Sequence, residues 1–186
     1  ASSGDDWMLL LVNKDHPIPD NYKITFTELS NGQKVDARIY PDLQAMFDAA
    51  RASGLQLFVR EGYRTQEEQQ QIMDDRIRKY VSEGNTQAEA KKLAEEYVAV
   101  PGTSEHQLGL SVDINPENRS QESKDTVYSW LAANAYIYGF IKRYPSDKVD
   151  ITGNSNEPWH YRYVGKTAAA EMQEKGLCLE EYLEQK

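Results

Sequence analysis

The sequence predicts an α+β fold, a single compact domain with a mostly antiparallel central sheet and flanking helices. Three observations lead there. Apolar stripes at helical spacing and short runs of alternating apolar and polar residues both occur along the chain. They are interleaved irregularly, without the strand–helix–strand regularity of a parallel sheet. The 186 residues fall within the roughly 100 to 200 of one domain, and no internal repeat or long linker divides them.

Composition narrows the functions open to such a domain. With 39% hydrophobic and 10% aromatic residues, the chain is too apolar for disorder, and its 12 Tyr and 3 Trp favour a packed protein with polar-rimmed clefts. The 21 basic against 30 acidic residues give a net charge of -9 and a pI near 4.9. A surface that tracks nucleic-acid phosphates needs clustered Lys and Arg, so nucleic acid is excluded as a partner. The single cysteine, Cys178, allows neither an internal disulfide nor a Cys-rich zinc site and reads as a small buried hydrophobe. Any metal must therefore be held by His and carboxylate. Residues 1–8, opening Ala1-Ser2-Ser3-Gly4, read as a linker or expression remnant before a domain over residues 9–186. The apolar run at residues 7–12 is too short for a signal peptide or a spanning helix, and an anchor removed upstream is the only expected link to a membrane.

The elements follow in order. After an extended opening with Pro17 and Pro19, Leu43, Met46, Phe47 and Ala50 form the stripe of a helix that Gly54 stops. Leu55, Leu57 and Val59 alternate as a short strand ended by Gly62, with Arg64 just after the turn. Thr65 with Glu68 reads as a capping box opening a helix whose face is Ile72, Met73, Ile77, Tyr80 and Val81; Thr86 with Glu89 repeats it before a stripe of Ala90, Leu93, Ala94 and Tyr97. Pro101-Gly102 then breaks the chain into a loop holding Ser104 and His106. Leu110, Val112 and Ile114 face one side of a strand and Ser111 and Asp113 the other, where a carboxylate among apolar neighbours needs a partner. A helix with Val127, Trp130 and Leu131, strands near residues 140–144 and 160–164, and a helix with Ala169 and Met172 complete the chain.

Of the three histidines, His16 precedes Pro17 and reads as an exposed loop residue. His106 and His160 lie in Gly- or Pro-marked segments beside acidic residues. His106 is seven residues before Asp113, so a loop followed by a strand can bring imidazole and carboxylate together, and His160 starts a later strand able to lie alongside. Two His and a carboxylate, with the fourth position open to water, are the ligand count of catalytic zinc. Glu157, three residues before His160, is spaced to serve as a general base and then a general acid. Spacing alone leaves the competing reading open, in which separated histidines are surface or satisfied core residues.

The strings around these residues carry more information. Ser104-Glu-His106-Gln-Leu-Gly109-Leu-Ser-Val-Asp113 resembles the S-x-H-x-x-G-x-A-x-D signature of the VanY and VanX type D-Ala-D-Ala peptidases, and Glu157-Pro-Trp-His160 resembles their E-x-W-H segment. Gly62-Tyr63-Arg64-Thr65 with Gln69 is similar to a third motif, and the likeness extends over residues 9–183. The resemblance implies one Zn2+ per chain on His106, Asp113 and His160, a catalytic base at Glu157, a substrate and oxyanion contact at Arg64, and substrate contacts at Gln69, Ser104 and Trp159. It also implies the compact fold shared with lysostaphin-type peptidases and the hedgehog domain. Ser111 departs from the signature's usual Ala and leaves the packing beneath the ligand strand in question.

The implied reaction is zinc-dependent hydrolysis of the terminal D-Ala-D-Ala bond of peptidoglycan precursor peptides by a monomer on the extracytoplasmic face of a bacterial membrane or wall, with vancomycin resistance as its consequence. Rivals within the family are a D-Ala-D-Ala dipeptidase, an L,D-carboxypeptidase and an endopeptidase; a rival outside catalysis is a zinc-binding recognition module. The short segment between Asp113 and Tyr138-Gly139-Phe140 leaves little material for a lid over a dipeptide, which favours the carboxypeptidase. Each residue also has a structural alternative: Arg64 paired with an acid on the following helix, Gln69 satisfying a backbone group, Ser104 capping its loop, and Trp159 walling the ligand strand.

Overall fold

The computed structural model describes residues 6–186, so the expected linker's residues 1–5 lie outside the described residues. A two-stranded antiparallel hairpin, β1 (Phe26–Glu28) and β2 (Lys34–Asp36), precedes helix α1 (Tyr40–Ala52) and strand β3 (Leu57–Glu61). Two helices follow, α2 (Gln66–Ser82) and α3 (Gln87–Tyr97), then strand β4 (Ser111–Pro116), helix α4 (Gln121–Asn134) and strand β5 (Phe140–Lys142). The short helix α5 (Val149–Thr152), strand β6 (His160–Tyr163), and helices α6 (Lys166–Lys175) and α7 (Leu179–Glu184) complete the described chain. The central sheet has the order β3-β4-β6-β5, and every pairing in it is antiparallel, so the expected α+β class holds.

The α1 stripe of Leu43, Met46, Phe47 and Ala50 is buried. It joins Val59, Val112, Ile114, Phe140, Tyr161 and Tyr163 in the main core, where burying each Val, Leu, Ile, Met or Phe side chain contributes roughly 1.5–3 kcal/mol. Because side chains alternate along a strand, the register between β4 and β6, Ser111↔Arg162, Val112↔Tyr161 and Asp113↔His160, assigns the sheet two faces. Val112 and Tyr161 belong to the main core. Ser111, Asp113, His160 and Arg162 share the opposite face and are buried there as well.

A smaller core of Met73, Ala94 and Val98, with Ile72, Ile77 and Tyr80 against it, joins α2 to α3. Thr86 and Glu89 form the expected reciprocal capping box. At Thr65 only one arm forms: its side chain accepts from Glu68 N, while Glu68 Oε1 accepts from the Thr65 hydroxyl rather than from the cap's backbone N–H. Tyr97, expected on the buried stripe of α3, is 68% exposed, because the helix ends there and Val98 enters the small core instead. Val81, expected on the face of α2, is 40% exposed. Near the start, Trp7 stacks on Tyr163 with ring centroids 6.0 Å apart and lies under the Arg38 guanidinium, so part of the expected linker is packed. Cys178 is buried.

Candidate active site

Three segments converge on the polar face of the sheet. The turn after β3 passes so close to β2 that a Cβ on Gly62 would stand 2.3 Å from the Lys34 carbonyl oxygen, a position only glycine can occupy. The freed Gly62 carbonyl accepts a hydrogen bond from His106 Nδ1 at 2.9 Å. His106 itself sits in a 3-10 turn, Glu105–Leu108, which Gly109 ends at φ 76°, a left-handed conformation that favours glycine. Register does the rest by setting Asp113 opposite His160.

The result is a compact set of donors. Asp113 Oδ1 lies 3.3 Å from His106 Nε2 and 3.0 Å from His160 Nδ1, and one donor atom from each residue lies within 4.8 Å of the others. His106, Asp113 and His160 are 5%, 7% and 3% exposed, which puts them out of the surface reading. Burial pushes the Asp113 carboxyl up, but the two imidazoles outweigh it and hold it well below the usual carboxylate range. For His160, burial lowers the pKa, yet hydrogen bonds to Asp113 and Glu105 prevail and raise it to about 10. Glu157 has the opposite balance: burial raises its carboxyl, and Asp113 and Glu105 add to the rise against the pull of His160 and His106. A carboxyl so tuned suits proton transfer better than permanent ionisation.

The other expected residues are distributed around this centre. The Arg64 backbone N–H donates to the His106 backbone carbonyl at 3.1 Å, which ties the main chain at Arg64 to the turn that carries His106. Arg64 Nε lies 3.2 Å from Glu61 Oε1 at an angle that leaves the N–H without a hydrogen bond; the acid beside it belongs to β3, not to the following helix. Gln69 is 1% exposed and its amide is committed, accepting from Arg64 Nη1 at 3.3 Å and donating to the Ala99 carbonyl at 2.9 Å. Ser104 is buried and its side chain does not cap the turn it opens. Trp159 is half-buried, and its carbonyl accepts from Ile114 N at 2.9 Å.

Sequence reasoning missed the charges behind the donors. Glu105 is 2% exposed, and Arg143 and Arg162 are fully buried. Arg143 Nε donates to Glu105 Oε2 at 2.9 Å and Arg162 Nη1 to the same oxygen at 3.1 Å. Burial pushes the Glu105 carboxyl up, but Arg143, His160 and Arg162 together hold it well below the usual range. The question raised by Ser111 is answered by the same group, since its hydroxyl donates to Glu105 Oε1 at 2.9 Å. An Arg on the strand beside His160 was the available signal, because a charge between buried neighbours requires a partner.

The donor set fits zinc. Tetrahedral zinc with bonds of about 2.0–2.2 Å separates its ligand atoms by roughly 3.3–3.6 Å, and Asp113 Oδ1 lies 3.3 Å from His106 Nε2 and 3.0 Å from His160 Nδ1, so small shifts would admit the ion. The ring nitrogens that do not face Asp113, Nδ1 of His106 and Nε2 of His160, are engaged by Gly62 and Glu105, as metal-binding imidazoles require.

Residues 32–166 match the VanY family, described as D-alanyl-D-alanine carboxypeptidase. The chain is 56% identical over 178 residues to a D-alanyl-D-alanine carboxypeptidase of Enterococcus faecalis, covering 96% of this chain and 66% of that protein; it thus spans just under two thirds of that relative. Two solved structures, each 56% identical, superpose closely. One is a mutant of the vancomycin resistance D,D-pentapeptidase VanY from a VanB-type cassette in complex with Zn(II), with a TM-score of 0.88 and 95% of this chain and 99% of that chain covered. The other is VanYB in complex with D-alanine-D-alanine, with a TM-score of 0.89 and coverage of 96% and 98%. With the motifs assembled at one buried site and the fold matched over nearly its whole length, the chain belongs to the VanY family of D-alanyl-D-alanine carboxypeptidases.

Proposed function

We propose that this chain is a zinc-dependent D,D-carboxypeptidase that hydrolyses the C-terminal D-Ala-D-Ala bond of peptidoglycan precursor peptides and releases D-Ala. The observation that most supports this reading is the convergence of His106, Asp113 and His160 within 4.8 Å, beside a Glu157 whose carboxyl is raised. These three side chains would hold one Zn2+ per chain. The ion, when bound, supplies Lewis acidity toward the scissile carbonyl and toward water. Glu157 takes a proton from the attacking water and returns it to the leaving D-Ala amine, which needs no acyl-enzyme. Arg64 donates to the oxyanion that develops on the scissile carbonyl, and Gln69 holds the guanidinium in place through its side-chain carbonyl. Ser104 and Trp159 would contact the bound peptide.

The catalytic unit is residues 9–186 together with Trp7 and Met8, which pack against it, acting as a monomer. Among the described residues no helix is long and apolar enough to cross a membrane. The site of action is the extracytoplasmic face of a bacterial membrane or wall, where loss of the D-Ala-D-Ala terminus removes what glycopeptide antibiotics bind. A D-Ala-D-Ala-terminated pentapeptide, the free dipeptide and an L-Ala-terminated pentapeptide, incubated with the protein and weighed by mass spectrometry, test the substrate. The pentapeptide should lose one D-Ala and be preferred, because contacts remote from the scissile bond add to transition-state binding. Preference for the dipeptide would make the chain a dipeptidase, and cleavage within the stem an endopeptidase.

A further inference from the structure

Glu105 lies next to one candidate ligand in sequence and touches another in space. Its two oxygens receive four donors: Oε1 accepts from Ser111 Oγ at 2.9 Å and from His160 Nε2 at 2.9 Å, and Oε2 accepts from Arg143 Nε at 2.9 Å and Arg162 Nη1 at 3.1 Å. That saturates a carboxylate's usual capacity of about four lone-pair sites. The donors come from β4, β6 and the segment after β5, so Glu105 is held from several sides. They are themselves held: the Arg143 guanidinium makes a bidentate pair with Glu180 of α7, at 2.6 and 2.7 Å, and Arg162 Nη2 donates to the carbonyls of Met8 and Leu10 at 2.9 and 2.8 Å.

Each ring nitrogen of His160 faces a carboxylate, Nε2 that of Glu105 at 2.9 Å and Nδ1 that of Asp113 at 3.0 Å. A metal shared by Asp113 and His160 would take Nδ1, which leaves the proton on Nε2, where Glu105 accepts it. Ser111 and Arg162 project from β4 and β6 on the same face as Asp113 and His160, so the strands that present the donors also clamp the residue behind them. We propose that Glu105 is a positioning residue for the metal site: it holds His160 as the Nε2–H tautomer with Nδ1 directed at the metal, and Ser111, Arg143 and Arg162 hold Glu105 for that task. The proposal rests on the reading of His106, Asp113 and His160 as zinc ligands.

Zinc affinity of the full chain, measured by competition with a chromogenic chelator, tests it. Glu105→Gln keeps the shape and removes the charge, and should weaken zinc binding by roughly 10- to 100-fold, the usual effect of losing such an outer partner. Ser111→Ala removes one donor but leaves the Glu105–His160 bond, and should weaken binding by a smaller factor. An affinity for Glu105→Gln within twofold of the parent, even with a lowered melting temperature, would reduce Glu105 to a structural residue and overturn the proposal, as would a larger effect from Ser111→Ala. Should Glu105→Gln fail to fold, nitrogen-15 histidine NMR of the zinc-loaded parent decides: a proton on Nε2 of His160 is expected, and a proton on Nδ1 overturns the assignment. A parent that binds no zinc would overturn the metal site and this proposal together, whereas equal affinity in parent and Glu105→Gln would overturn the proposal alone.

Discussion

The polar face of the β4–β6 pair and the α2–α3 arm bury very different things. Around the sheet, Glu105, His106, Asp113, Arg143, His160 and Arg162 are all at 7% exposure or less. In the arm, the 17 residues of α2 bury only Gln69 and Met73, and the 11 residues of α3 only Ala90 and Ala94. A buried charge needs a partner held at the right distance, so every side chain in the first region depends on others remote in sequence. The arm is held by a few apolar contacts and by caps made within a single turn. The proposed catalytic geometry thus sits where the chain is most interdependent, and α2 reaches it through Gln69, which accepts from Arg64, and Gln66, which accepts from Gln107 beside His106 at 2.8 Å.

The contrast can be attacked first where it should be strongest. Arg143→Ala leaves Glu105 and Glu180 without their shared guanidinium, and breaking such a buried pair should cost about 3–5 kcal/mol in denaturant unfolding. A loss below ~1 kcal/mol, the range of an exposed pair, would show that the buried charges do not hold this region together. In the arm, Met73→Ala removes the largest buried apolar side chain of α2 and should cost ~2 kcal/mol while leaving zinc affinity unchanged. Reduced zinc affinity would tie the arm to the metal site more closely than the packing indicates. Smallest is Thr86→Ala, which removes the α3 cap at ~1 kcal/mol. Hydrogen exchange should quicken in α3 amides and not in β4 or β6; equal acceleration in the sheet would merge the two regions into one cooperative unit.

Legibility in the sequence follows the same division. The α1 stripe, the Thr86 cap and the β4 alternation are local patterns, and each appears in the fold at the expected residues. The β1–β2 hairpin did not announce itself, since its strands have three residues each and Phe26 is 40% exposed, leaving no alternation to read. His106, Asp113 and His160 were recognisable because their strings match a family signature, but their meeting depends on the β4–β6 register, which no local pattern reveals. Glu105 was invisible for a related reason: beside Ser104 it looks like any acidic loop residue, and its guanidinium partners lie 38 and 57 residues away. Ser111, read as a mere departure from the signature, acquires its purpose only from that distant carboxylate.

At the centre of the proposed function, His106, Asp113 and His160 are to hold the metal and Glu157 is to move the proton. Glu157→Ala separates these duties most directly when metal content and pentapeptide turnover are measured on the same sample. The predicted result is one zinc per chain, a melting temperature close to the parent's, and turnover lower by at least ~10² to 10⁴-fold, the usual worth of a general acid–base group. A variant that has lost its zinc, and regains activity once the metal is restored, would make Glu157 a ligand or a ligand's support and contradict the assignment.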